Sequence, residues 1–230
     1  NWLDGAVRTV MEVEGVGADE AKAIIASAEA EGHTTKAFYA RLQAAVAPRI
    51  LVDKSPSYAL DPRCLRKAEA DFERPLYIHL LRHPAAMIDS FERHHMEQVL
   101  YLHGHPFDSR QLAELVWTMS HRTIDDFLAE VPSERWHRLR YEDLVREPQT
   151  EIAALCDALG IDYDAAAADP YDGLERKMID GVHAESAPMG DPGFLAHGRI
   201  DASLAENRGD DVDTQLGQPT IELARSHGYS

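Results

Sequence analysis

The chain has 230 residues, only two of them cysteine, and a formal net charge of −17. This length suits one domain with a core large enough to fold without disulfide or metal staples, and the acidity argues against nonspecific binding to nucleic acid or an anionic membrane. No apolar run reaches the roughly 20 residues of a spanning helix and the N-terminus carries no signal-peptide pattern, so a soluble, cytoplasmic protein is expected.

The charge is uneven. Residues 1–31 hold two basic and seven acidic groups and residues 149–230 hold five and sixteen, while the middle, 32–148, is close to balanced and holds nine of the twelve histidines. An anionic ligand is therefore expected in the middle, held by local placement against a repulsive overall field. Cys64 and Cys156 have no metal-type spacing and read as reduced thiols.

In chain order, apolar residues at helical spacing predict helices over 6–12, 18–31 and 35–46, punctuated by Gly15, Gly17 and Gly32. A strand is expected over Arg49-Ile50-Leu51-Val52-Asp53, ending in Lys54-Ser55-Pro56. A helix over Pro62–Phe72 leads to a second strand, Leu76–Leu81, and to a helix from Pro84 to about Leu100. Asp108 with Gln111 resembles a capping box for a long helix to Val131. A third strand, Trp136–Arg140, runs into Tyr141-Glu142-Asp143-Leu144-Val145. Helix 149–159 stops at Gly160, residues 169–220 read as surface loops, and a short helix over Thr220–Ser226 closes the chain. The expected organisation is one domain: a helical cap region at 1–48, an α/β core at 49–160 and a loop-rich part at 161–230.

Strands alternating with helices imply a parallel sheet flanked by helices, in which ligands bind at the carboxyl ends of the strands. Arg82-His83-Pro84, followed by Ser90, is the most telling stretch. Pro84 suits the first position of a helix, and a helix N-terminus with a guanidinium at its mouth is an anion site. Lys54, Ser55, Arg82 and Tyr141 all fall just past strand ends, so they are expected to converge on one crevice.

At this point the sequence resembles the PAPS-dependent sulfotransferases, and within them the polyketide-synthase-associated, olefin-forming branch. The resemblance is carried by Leu51-Val52-Asp53-Lys54-Ser55-Pro56-Ser57-Tyr58-Ala59, Tyr77-Ile78-His79-Leu80-Leu81-Arg82-His83-Pro84, Trp117-Thr118-Met119-Ser120-His121, Arg140-Tyr141-Glu142-Asp143-Leu144-Val145 and Gly190-Asp191-Pro192-Gly193-Phe194. It implies a P-loop-NTPase-like sulfotransferase fold, PAPS (3′-phosphoadenosine 5′-phosphosulfate) as donor and no metal. The implied acceptor is a hydroxyl on a small molecule or on a carrier-bound β-hydroxyacyl chain. By the same resemblance Arg82 and Ser90 bind the 3′-phosphate, Tyr141 lies against adenine, and Lys54 beside Ser55 faces the sulfonate. Basic residues such as Arg176 and Lys177 close the 3′-phosphate site, while Arg208 stands where relatives often show Trp.

The strand, Pro-Arg-Ser-Gly-type loop and helix that open this family have no counterpart in these residues. The expectation is a sheet lacking its first strand, with an open edge and half a donor site. Two functions follow: a sulfotransferase, of which this is a fragment, or a noncatalytic 3′-phosphoadenosine-nucleotide-binding remnant.

Several residues carry alternatives. His121, at the margin of an apolar arc on its helix, is either a general base for the acceptor hydroxyl or a structural core histidine. Asp53 is either the base or a charge partner at the strand end. His94-His95 and His103/His105 read as exposed polar residues rather than ligands, because no carboxylate or thiol completes a set.

Overall fold

The computed structural model describes residues 4–100, 102–171, 198–203 and 215–229. Arg176, Lys177, Arg208 and the Gly190–Phe194 motif lie outside them. The described residues fall into two compact units, one running up to Lys54 and including Tyr171 and Gly198, and one built from Ser55–Pro170 and the described residues from Arg199 onward.

Among the described residues the first unit holds three helices, α1 (Asp4–Glu14), α2 (Ala18–Ala30) and α3 (Thr35–Val46). Val7 and Val10 on α1 and Ala21, Ile25 and Ala28 on α2 recur at three- and four-residue spacing, so each helix presents one apolar stripe. Val7, Val10, Ala21 and Ile25 close on Leu42 of α3 to form the core. Gly15 adopts the left-handed conformation (φ 68°) that lets the chain turn between α1 and α2. Thr34 caps α3 by accepting from the Ala37 N–H at 3.2 Å.

The strand expected over 49–53 does not form. A strand needs a neighbour to satisfy its backbone, and here the side-chain amide of Gln43 does that work. It donates to the Arg49 carbonyl at 2.8 Å and accepts from the Leu51 N–H at 3.1 Å. Val52 is left 72% exposed, so alternating apolar residues alone did not make a sheet. Lys54 and Ser55 therefore follow a loop, not a strand end.

In the second unit, Asp61 caps α4 (Pro62–Asp71) by accepting from the Arg63 N–H at 2.9 Å. Strand β1 (Tyr77–Leu81) follows, then α5 (Pro84–Arg93) and α6 (Met96–Val99). The single helix expected to Leu100 is broken at His95, whose φ of 50° and ψ of 46° are left-handed and incompatible with a continuing helix. Helix α7 (Ser109–Leu128) starts with the expected capping box. The Asp108 carboxylate accepts from the Gln111 N–H at 2.8 Å, and Gln111 Oε1 accepts from the Asp108 N–H at 3.2 Å. Strand β2 (Trp136–Arg140) leads into α8 (Tyr141–Arg146) and α9 (Pro148–Leu159), which ends at left-handed Gly160. Helix α10 (Gln218–Ser226) closes the described chain.

β1 and β2 pair in parallel, with Tyr77 opposite Trp136 and Leu81 opposite Arg140. The connection through α5 and α7 is the crossover a parallel pair requires. Alternation puts Tyr77, His79 and Leu81 on one face with Trp136, Arg138 and Arg140, and Ile78 and Leu80 on the other. His79 and Leu81 are buried, while Ile78 and Leu80 remain 41% and 54% exposed. Among the described residues β1 has β2 on one side and no strand on the other. Cys64 and Cys156 are both free thiols, and no described helix is long and apolar enough to cross a membrane.

Candidate functional site

The site is built where β1 and β2 end. Arg82 leaves β1 and Tyr141 leaves β2, and the register that pairs Leu81 with Arg140 brings them side by side. The Arg82 guanidinium carbon lies over the Tyr141 ring, 4.6 Å from its centre, a cation–π contact. Trp117 of α7, fully buried, donates its indole N–H to the Arg82 carbonyl at 3.0 Å and fixes the backbone there. Arg82 Nε is buried and has no partner among the described residues, a donor placed and unsatisfied. Ser90 follows on α5, half-buried.

Two of the backbone N–H groups expected to be open at the start of α5 are already engaged. His83 Nδ1 accepts from the Ala85 N–H at 3.2 Å, and Glu142 accepts the His83 N–H at 2.8 Å. Pro84 has no N–H to offer. Glu142 thus occupies the position where a helix N-terminus favours negative charge. Its second oxygen accepts from the Tyr229 hydroxyl at 2.9 Å, tying the Arg82 turn to the last described residues. Burial, and then the Glu142 charge, push the Tyr229 phenol above its ordinary range, so it stays a donor.

A second cluster lies on the buried face of β1. His79 Nε2 and His121 Nδ1 are 2.8 Å apart, with ring centres at 5.1 Å. Trp117 meets His121 edge-on at 4.6 Å, which links this cluster to Arg82 through one side chain. Asp125, one turn along α7 from His121, accepts from Arg138 Nη2 at 2.8 Å and lies 3.0 Å from His227 Nε2. Burial, then the Arg138 charge, pushes His79 down to about 4; burial, then His79 and His227, pushes His121 down to about 3. Both imidazoles are neutral near pH 7. Partial burial alone would raise Asp125, but His227, His79 and Arg138 together hold it below the ordinary carboxylate range.

Of the residues singled out from sequence, Arg82 and Tyr141 are brought into contact and His121 is joined to them through Trp117. Asp53 and Lys54 belong to the first unit, where both are exposed and Asp53 accepts from the Tyr39 hydroxyl at 2.7 Å. Ser55 opens the second unit at the start of a short 3-10 helix, Pro56–Leu60. His79, Arg138, Asp125, His227 and Glu142 were not singled out as site residues. Two of them left a trace: alternation puts His79 on the same strand face as Leu81, and Asp125 is four residues from His121. The meeting of His227 with Asp125 spans 102 residues of sequence and has no local signature.

Three comparisons with known proteins bear on this arrangement. The model of the sulfotransferase family matches residues 7–165. The sulfotransferase domain from the curacin biosynthetic pathway is 37% identical, with a TM-score of 0.87 over 99% of this chain and 79% of that one. The sulfotransferase domain from the Synechococcus PCC 7002 olefin synthase is 34% identical, with a TM-score of 0.83 over 99% of this chain and 76% of that one. Among curated proteins none matched. A family model covers most of the chain and two solved relatives match along nearly all of it: the chain belongs to the sulfotransferase family.

Proposed function

We propose that this chain carries the nucleotide half of a PAPS-dependent sulfotransferase acting on a hydroxyl. In that reaction the acceptor oxygen forms a bond to sulfur as the bond from sulfur to the 5′-phosphate oxygen breaks, and the hydroxyl proton passes to a base. Stabilising charge on the departing phosphate would dominate the catalysis, as in phosphoryl transfer. The observation that supports the reading most is Arg82 set over Tyr141 with a buried, unsatisfied Nε: a fork for a phosphate beside an aromatic ring for a base. Ser90 is the companion hydroxyl for the 3′-phosphate. His121 is the residue proposed to meet the reacting group, because it adjoins the Arg82 turn through Trp117. The roles of Lys54, Ser55, Arg176 and Lys177 rest on the family resemblance, and that of Asp53 on its place beside Lys54 in the sequence.

The acceptor we favour is a β-hydroxyacyl chain on a carrier protein, supported by relatives that come from a biosynthetic pathway and an olefin synthase. Nothing among the described residues favours the noncatalytic alternative. Titration with 3′-phosphoadenosine 5′-phosphate tests the reading. Saturable binding lost in Arg82→Ala and weakened in Ser90→Ala is expected, and equal binding by wild type and Arg82→Ala would sink the assignment. Transfer of labelled sulfate from PAPS to a carrier-bound β-hydroxyacyl chain tests the acceptor separately.

A further inference from the structure

Arg138 and His121 sit at opposite ends of one hydrogen-bonded chain that passes through His79. A guanidinium holds only donors, so the 3.4 Å contact from Arg138 Nε makes His79 Nδ1 an acceptor. A neutral imidazole has one N–H. His79 therefore carries its proton on Nε2 and donates it across 2.8 Å to His121 Nδ1. His121 Nδ1 is then an acceptor as well, and the proton of neutral His121 is on Nε2. Asp125 does not compete for His79, since its Oδ1 is 3.9 Å from His79 Nδ1, beyond hydrogen-bond range. That oxygen accepts from Arg138 Nη2 at 2.8 Å instead, while His227 Nε2 lies 3.0 Å from the other. His121 Nε2 has no hydrogen-bond partner among the described residues, yet it is not one of the atoms sealed from solvent.

We propose that His79 is a positioning residue which, set by Arg138, holds His121 as an Nε2–H donor. His121 then presents an N–H, not a lone pair, to an oxygen of whatever ligand reaches it, and a sulfuryl oxygen is the chemistry such a donor fits. The ligand rests on the reading above; the tautomer does not. One consequence is that the proton of an acceptor hydroxyl needs a taker other than His121. Burial keeps both rings neutral near pH 7, so the tautomer, and not the charge, distinguishes the two roles.

Long-range 15N–1H correlation spectra of the 15N-labelled chain at pH 7 test this without any substrate. The His79 and His121 signals are assigned from single variants. Both rings are expected to show a protonated Nε2 and an unprotonated Nδ1. In His79→Gln the amide N–H replaces the imidazole Nε2–H and His121 keeps its pattern. In His79→Leu the donor is gone and the single tautomer of His121 is lost. Arg138→Met frees His79 Nδ1, and both rings are expected to leave the pure Nε2–H form. A wild-type His121 protonated at Nδ1 overturns the proposal, as does a His121 pattern unmoved in both His79→Leu and Arg138→Met. The wild-type spectrum decides even where a variant fails to fold. A failed sulfate-transfer assay would leave this result standing, and a wrong tautomer would leave the sulfotransferase reading standing.

Discussion

Val7, Val10, Ala21, Ile25 and Leu42 hold the first unit by apolar contact, whereas the second unit buries His79, His121, Glu142, Thr118, Thr220 and His227 along with its apolar residues. The contrast is one of chemistry. An apolar helix cluster is indifferent to pH and tolerates any side chain of the right volume and pattern. Buried polar groups demand named partners, and a removed partner costs more than the bond was worth, because the group left behind is desolvated and unpaired. The second unit accepts that cost around Arg82, where donors must point in fixed directions.

Five expected outcomes break or sharpen this comparison. The largest is Trp117→Ala. It empties a large buried volume and orphans the Arg82 carbonyl, and it is expected to cost about 3–5 kcal/mol in urea unfolding, with nucleotide binding lost alongside. Ile25→Ala in the first unit is expected to cost about 2–5 kcal/mol and to leave binding at Arg82 nearly intact; loss of binding there would erase the distinction.

Acid is the second lever. His79 and His121 have folded values near 4 and 3, below the ordinary histidine range. The unfolded chain therefore binds more protons, and stability is complete above about pH 6.5 and falls as pH drops toward those folded values. At pH 5.5 the two rings together are expected to cost roughly 2–3 kcal/mol relative to pH 7.5. Asp125, held low, adds loss in the same direction at lower pH. Urea midpoints at the two pH values check this: Ile25→Ala should keep the wild-type difference, and His121→Gln should remove about half of it.

Third, Glu142→Gln keeps one acceptor but cannot serve both the His83 N–H and the Tyr229 hydroxyl as the carboxylate does. A loss of about 1–3 kcal/mol is expected, with faster hydrogen exchange at His83. The smallest effect is expected at Asp108→Ala, which opens the capping box of α7 and should cost about 1 kcal/mol, read as a small drop in melting temperature without change in nucleotide affinity.

Thr118 and Thr220 show why some of this was illegible in the sequence. Glu114 can only accept, so Thr220, at 2.6 Å from it, donates there and must accept from Thr118 at 2.9 Å. Each residue is an unremarkable helix threonine until α10 docks on α7. The helices themselves were readable from local rules: the capping box at Asp108, left-handed Gly160 and the apolar stripes of α1 and α2 each need only neighbours within a turn or two. The strand expected at Arg49–Asp53 failed for the converse reason. Its alternation was local, but a strand exists only with a partner, and Gln43 supplied the hydrogen bonds instead. The helix break at His95 was missed because nothing in His94-His95 demands a left-handed residue.

The sequence by itself determined the parallel α/β character, the helix boundaries at Asp108 and Gly160 and the Arg82–Pro84–Ser90 stretch, because periodicity and capping act over a few residues. Tertiary structure alone decided that Tyr141 lies under Arg82, that Glu142 occupies the start of α5, and that His79 meets His121. Those contacts depend on the register of β1 against β2 and on the packing of α7 across them, and a hydrogen bond exists only where two distant backbones have already been set within about 3 Å.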